Sequence, residues 1–183
     1  MSTDARVRYT KMVIKNSFIE LLKKKPINKV TVKEICELSE INRATFYKYY
    51  CDAYDLLEKI EQEFLDELFQ NICPPVQHDF KDTLTLIMVN IKANAEVYQT
   101  IVSENGDRHF PNRIVALCYK NLAVHIEKKF PNFSFAQQKW VYYFIAQGCS
   151  GILDQWIISG MVEPIDEVVN FTDNLLQHTF KQF

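Results

Sequence analysis

The sequence predicts an all-α protein, and three observations carry that expectation. Among 183 residues only 4 are Gly and 6 are Pro, too few turn-formers for a chain of many short strands. Apolar residues recur at three- and four-residue spacing along most of the length, with no strand alternation to compete. Residues 31–50, TVKEICELSEINRATFYKYY, read as two short helices joined by a tight turn. The expected architecture is a three-helix head with a helix-turn-helix at 1–52, followed by a larger helical bundle at 53–183.

The first helix is expected over 6–24, with Ile14, Phe18, Leu21 and Leu22 on one face. Lys23, Lys24 and Lys25 suit the negative end of its dipole, and Pro26 stops it. A bridge over 27–30 leads to Thr31, which forms a capping box with Glu34. Val32, Ile35, Cys36 and Ser39 then share one buried face. The run breaks at Glu40 and Ile41. Asn42 caps a second short helix over 43–50, on which Phe46 and Tyr50 point to the core. Phe18, Leu22, Val32, Ile35, Ile41 and Phe46 give the head a core of its own.

Asp52 is the N-cap of a longer helix over 53–71, with Asp55 in its first turn. Leu56, Leu57, Ile60, Phe64, Leu65 and Leu68 make its apolar stripe, and Glu61, Glu63, Asp66 and Glu67 its solvated face. Pro74 and Pro75 end it, and 72–79 reads as a linker. Residues 80–102 form one helix or two, with Leu84, Ile87, Met88, Ile91 and Ala95 inward. A turn follows at 104–107, then a helix over 114–129 closed by Pro131. A long apolar helix over 135–159 contains Gly148 and Gly151 and ends at Gly160. Pro164 opens a last helix that runs to about 181.

Charge is uneven. Residues 1–59 hold 12 Lys and Arg against 8 Asp and Glu, whereas residues 60–183 hold 9 against 15. A basic head on an acidic body suits a head that meets a polyanion. On the second short helix Arg43, Ala44, Thr45, Tyr47, Lys48 and Tyr49 lie off the buried face. Cations, a small residue, a hydroxyl and phenols suit phosphates and base edges, so double-stranded DNA is the expected partner.

The five cysteines, Cys36, Cys51, Cys73, Cys118 and Cys149, form no C-x-x-C pair and read as reduced core thiols of a cytoplasmic protein. His78, His109, His125 and His178 lack metal-ligand spacing, and no phosphate loop, nucleophile elbow or paired-carboxylate signature appears. No enzyme activity, metal or cofactor is expected. The chain has no apolar signal core and no run of about 18 apolar residues, so neither export nor a membrane span is expected.

Residues 7–68 resemble the N-terminal domain of TetR-type transcriptional regulators. The matching elements are Thr31 to Ile35, the Ile41 and Asn42 turn, the run Thr45, Phe46, Tyr47, Lys48, Tyr49 and Tyr50, and then Asp55, Leu56 and Leu57. Residues 103–107 and 148–161 resemble a branch of that bacterial family that includes the activator of the dihydroxyacetone kinase operon. The resemblance implies phosphate contacts for Thr31, Thr45, Tyr47 and Tyr49, and base or nearby phosphate contacts for Arg43, Ala44 and Lys48. Two positions depart from the family. Glu40 stands where the turn usually carries Gly, and Ala53 where a phosphate-clamping Lys is usual. Affinity is therefore expected to lean on Lys33, Lys48, Arg6 and Arg8.

Trp140, Phe144, Ile152, Ile158, Val168, Val169, Phe171, Leu175 and Leu176 present more apolar surface than a terminal hairpin hides within one subunit, and Gly148 and Gly151 allow helices to approach closely. Two such hairpins can pair into a four-helix homodimer interface, and two-fold symmetry suits a pseudo-palindromic operator. Tyr98, Phe110, Tyr119, Tyr142, Tyr143 and Trp156 have two readings, plain core or the walls of an apolar ligand pocket. The resemblance implies an effector, small molecule or protein, bound by the C-terminal region. The function expected is a dimeric DNA-binding transcriptional regulator. The alternative is a protein-interaction adaptor or co-regulator with a weakened DNA-binding head, which Glu40 and Ala53 motivate.

Overall fold

A computed structural model describes the backbone of residues 3–72 and 80–181, and their side chains except those of 3, 4, 71, 72, 118–122, 124 and 125. Among the described residues every regular element is helical. In order these are α1 (Thr3–Leu22), a 3-10 turn (Ile27–Lys29), α2 (Val32–Leu38), α3 (Arg43–Tyr47) and α4 (Ala53–Ile72). They continue with α5 (Phe80–Ala93), α6 (Ala95–Val102), α7 (Phe110–Lys129), α8 (Phe135–Ile158) and α9 (Ile165–Thr179).

One compact unit comprises Met1–Phe64 and Glu96–Phe110. Ile14, Phe18 and Leu22 of α1, Ile35 of α2, Phe46 of α3 and Leu56 of α4 are fully buried in it. The rings of Phe64, Tyr98 and Phe110 pack on one another with centroids 5.5 to 5.9 Å apart. The Ile27 N–H donates to the Asn105 carbonyl at 2.9 Å, and Lys23 pairs with Glu96, so the start of α6 and the turn after it are both fastened to the segment between α1 and α2. Gly106 is required there. A Cβ would lie 2.1 Å from the Ile101 carbonyl oxygen, and backbone cannot give way cheaply.

The second unit comprises Leu65–Ala95 and Pro111–Phe183. Its core gathers Ile126, Phe130, Val141, Tyr142, Ile145 and Ala146, with Leu176 and Phe180 of the C-terminal segment packed against them. Helix α8 opens with a capping box between Ser134 and Gln137 and closes on a Schellman motif. At that end Met161 N–H reaches the Trp156 carbonyl at 2.8 Å and Gly160 N–H the Ile157 carbonyl at 3.1 Å, with Gly160 at φ 87°. The units divide α4 after Phe64 and assign Glu96–Phe110 to the first, whereas the chain-order division at 52/53 separates the helix-turn-helix from all that follows.

Several local expectations need correction. The helix expected over 43–50 ends at Tyr47, and its last residues form a turn held by Tyr49 and Tyr50 N–H groups on the Phe46 carbonyl. Of the two readings of residues 80–102 the structure has the second, two helices parted at Asn94, whose N–H is shared between the Asn90 and Ile91 carbonyls. Helix α7 begins at Phe110, four residues earlier than expected, because Pro111 is tolerated in a first turn. Glu61 is only 3% exposed rather than part of a solvated face, while Glu63, Asp66 and Glu67 are exposed. Cys51 is an exposed thiol rather than a core one. The expected linker, with Cys73 and His78, and the side chains of Cys118, Tyr119 and His125 lie outside the described residues.

Candidate nucleic-acid interface

The helix-turn-helix is held by local chemistry that the sequence dictates. Thr31 Oγ1 accepts from the Glu34 N–H at 3.3 Å, and Glu34 Oε2 accepts from the Thr31 N–H at 3.1 Å, closing the capping box. Lys25 Nζ reaches Glu34 Oε1 at 2.5 Å. The Lys25 ammonium, the Thr31 hydroxyl, which donates to Oε2 at 2.7 Å, and the Thr31 N–H hold the Glu34 carboxyl well below its ordinary 4.5, at about 2, with Lys25 the largest cause and Thr31 next. Helix α2 then ends with the Ile41 N–H on the Cys36 carbonyl at 3.1 Å, the long bond of a Schellman motif. Its left-handed residue is Glu40, at φ 54°. The position that favours Gly is therefore occupied by an acid.

Asn42 Oδ1 accepts from the Thr45 N–H at 2.7 Å and starts α3. Phe46 anchors that helix with no exposed surface, and Tyr50 follows it inward, its phenol pushed up to about 12 by burial. The remaining side chains are turned out. Arg43, Ala44, Tyr47 and Lys48 are exposed, Tyr47 by 57%, and Thr45 and Tyr49 are half-buried. On α2 and its cap, Thr31 and Lys33 are exposed as well. All eight residues expected to meet DNA thus belong to the first unit, and six of them lie on or just beyond one five-residue helix.

Lys59 was not among the residues the sequence singled out. Its Nζ donates to the Tyr49 carbonyl at 2.8 Å and to Asp55 Oδ2 at 2.9 Å, and it lies 5.4 Å from the centre of the Tyr50 ring. Lys11 Nζ lies 6.0 Å from the centre of the Tyr49 ring. The four-residue spacing of Asp55 and Lys59 is the signal that could have found the pair. Ala53 is 5% exposed, its methyl taken into the core, and Asp52 Oδ1 accepts from the Asp55 N–H at 2.8 Å. The start of α4 therefore displays carboxylates and no cation.

The aromatic residues weighed as pocket walls fall in different surroundings. Tyr98 and Phe110 are buried against Phe64 in the first unit. In the second, Tyr142 donates to the Val115 carbonyl at 2.8 Å and borders a hollow of about 220 Å³ with Phe135 and Lys139, whereas Tyr143 is half exposed. Trp156 is buried, donates to the Glu163 carbonyl at 2.9 Å and borders a groove of about 440 Å³ with Ile152, Val168 and Phe171. A third hollow, about 350 Å³, lies among Phe80, Ile126, Phe130, Leu176 and Phe180. Tyr119 lies on α7 with its side chain outside the description.

Along α8 and α9 an apolar stripe stays uncovered in the single chain. Trp140 is 68% and Phe171 64% exposed, and Phe144, Ile158 and Leu175 are exposed with them. Gly148 and Gly151 are exposed with open space around their Cα atoms, and Ile152, Val168 and Leu176 are half-buried. Val169 faces inward and is buried.

Comparison with known proteins fits this geometry. The TetR-type family described as a transcriptional regulator C-terminal region matches residues 78–178. The HTH-type transcriptional regulator YxbF of Bacillus subtilis (strain 168) is 30% identical over 73 residues, 40% of this chain; the match spans about a fifth (19%) of that relative's length. Among solved structures, the dihydroxyacetone kinase operon activator DhaS superposes with a TM-score of 0.66 at 22% identity, covering 95% of this chain and 97% of that one. A TetR-family transcriptional regulator from Syntrophomonas wolfei gives 0.69 at 20% identity, covering 92% and 95%. The fatty acid degradation regulator FadR from Bacillus halodurans gives 0.64 at 13% identity, covering 91% and 93%. At these identities the structural likenesses are likenesses of fold.

Proposed function

Because this chain belongs to the TetR family of transcriptional regulators, we propose that it reads a pseudo-palindromic operator as a homodimer. The observation that carries the reading is α3. A five-residue helix is pinned by buried Phe46 while Arg43, Ala44, Tyr47 and Lys48 all face solvent. Thr31, Thr45, Tyr47 and Tyr49 hold phosphates, and Arg43, Ala44 and Lys48 reach base edges or nearby phosphates. Lys33, beside the capping box, adds a cation. Two copies pair through Trp140, Phe144, Gly148, Gly151, Ile152, Val168, Phe171 and Leu175, which sets two reading helices on one face of the duplex, one turn or a multiple apart. Residues 1–52 are the reading head and 53–183 the regulatory and dimerising body.

A small-molecule or protein effector bound by the body changes the spacing of the two heads. The hollows of about 350 and 220 Å³ in the second unit are candidate seats for a small molecule; Tyr142 borders the smaller. Tyr98, Phe110, Tyr119, Tyr143 and Trp156 are the other aromatic residues by which such a site is traced.

The test is binding to DNA from the region beside its own gene, at two salt concentrations. Selective binding that weakens steeply with salt is the expected result. Tyr47→Ala and Lys48→Ala should each weaken it about tenfold while the protein keeps its melting curve, and Lys48→Ala should lower the salt slope by about one. Wild-type affinity in both variants would move the reading surface elsewhere. If the native protein selects no sequence from a genomic library, the adaptor reading replaces this one. Glu40 in the turn and the small, buried Ala53 at the start of α4 favour that second reading.

A further inference from the structure

The five-residue reading helix closes on a short turn, with the Lys48 N–H on the Thr45 carbonyl and the Tyr49 and Tyr50 N–H groups on the Phe46 carbonyl. No glycine closes it, and the chain beyond that turn is held by side chains of α4. The chain leaves it through Tyr49, Tyr50 and Cys51. Both peptide groups that flank this exit are taken by one pair of residues a turn apart on α4. Lys59 Nζ donates to the Tyr49 carbonyl at 2.8 Å, and Asp55 Oδ2 accepts from the Cys51 N–H at 2.8 Å. The same Asp55 oxygen accepts from Lys59 Nζ at 2.9 Å, which closes the bracket. The ammonium also faces the ring of buried Tyr50, 5.4 Å from its centre.

We propose that Lys59 is a positioning residue for DNA recognition, acting through the Tyr49 carbonyl rather than through a phosphate. The inference rests on the DNA-binding reading of α3. An ammonium has three donors. Here one is given to Tyr49, one to Asp55, and the Tyr50 ring lies within reach of the cation. Its charge is balanced by Asp55 at hydrogen-bond distance, so it releases few counterions from DNA. Removing it loosens the turn after α3, which carries Lys48 and Tyr49 and follows directly on Tyr47. Contacts to base edges demand fixed geometry and suffer most, whereas non-specific attraction to phosphates does not depend on that geometry.

Three full-length variants and the wild type decide it, each titrated with operator DNA and with unrelated duplex over a salt series by fluorescence anisotropy. Lys59→Met keeps the stem and loses the donors. It should bind the operator about tenfold more weakly, bind unrelated duplex as wild type does, and keep the wild-type salt slope on the operator. Lys59→Arg restores charge and donors and should recover most of the loss. Lys59→Gln should repeat the Lys59→Met result, and it replaces Met if that variant alters the melting curve. A fall of about one in the salt slope with Lys59→Met, as for a phosphate contact, would overturn the proposal. So would equal weakening on both duplexes, or wild-type affinity for the operator. Failure of the wild type to bind any duplex would overturn the DNA-binding reading and this proposal with it, whereas tight wild-type binding unaffected by Lys59→Met overturns the proposal alone.

Discussion

Glu40 and Gly160 occupy the same place in two Schellman motifs, one ending α2 and one ending α8, and both adopt positive φ. The left-handed conformation costs an L-residue about 1–2 kcal/mol, of which glycine's greater freedom when unfolded takes back part. Glu40→Gly should therefore stabilise the protein by about 0.5–1 kcal/mol, read as a rise in the urea midpoint at fixed protein concentration. No rise would mean that Glu40 has a compensating contact. The residue types at 31–50 made this motif legible: Thr31 with Glu34, Asn42, and the inward pair Phe46 and Tyr50 all stand as the spacing implies. The conformation of Glu40 was legible only as a conditional, since nothing in a lone Glu codes for positive φ. The Asp55–Lys59 pair is legible in its four-residue spacing, but the bond from Lys59 to Tyr49 is not, because its acceptor is a backbone carbonyl ten residues back, and a backbone carbonyl leaves no mark in sequence.

At the scale of elements, caps and stripes were read where the signal is local, and boundaries were misjudged where tertiary contact decides. Helix α9 and the apolar stripe of α4 follow from periodicity. The early end of α3 does not, because the residues after Tyr47 keep a helical pattern while their backbone turns toward Asp55 and Lys59. Burial of Glu61 is not legible either, because a Glu among Glu63, Asp66 and Glu67 reads by residue type as part of a solvated face. The α2 cap makes a prediction of its own. Glu34 is held at about 2 against an ordinary 4.5, first by Lys25 and then by Thr31. A depressed carboxylate stabilises the folded state above its ordinary value, and that contribution fades as pH falls from about 4.5 toward 2. Carboxyl resonances followed by NMR should place the Glu34 titration near 2 and move it upward in Lys25→Met. An unmoved titration in that variant would assign the shift to Thr31 alone.

At the scale of the whole molecule, α8 and α9 leave an apolar stripe uncovered. A monomer seldom exposes a contiguous apolar patch beyond a few hundred Å² without a partner for it. Here Trp140, Phe144, Ile158, Phe171 and Leu175 are all exposed, and they follow helical spacing along two adjacent elements. Gly148 and Gly151 continue the α8 line with no side chain to hold a second backbone away. A surface that pairs with itself about a two-fold axis needs this self-complementary arrangement of bulky and bare positions. Light scattering should give twice the 21.5 kDa chain mass for the wild type at micromolar concentration, and 21.5 kDa for Trp140→Glu combined with Phe171→Glu. Both side chains already face solvent, so the helical circular dichroism of the double variant should match that of the wild type. Operator binding should fall by more than tenfold in the same variant, because two linked heads gain an effective concentration that separate heads lack. A wild type of 21.5 kDa, or a double variant that stays paired, would remove this face from the interface. If the double variant became monomeric and still held the full operator as tightly, α3 would be reading DNA without a partner, and the pairing of α8 and α9 would have some purpose other than spacing two heads.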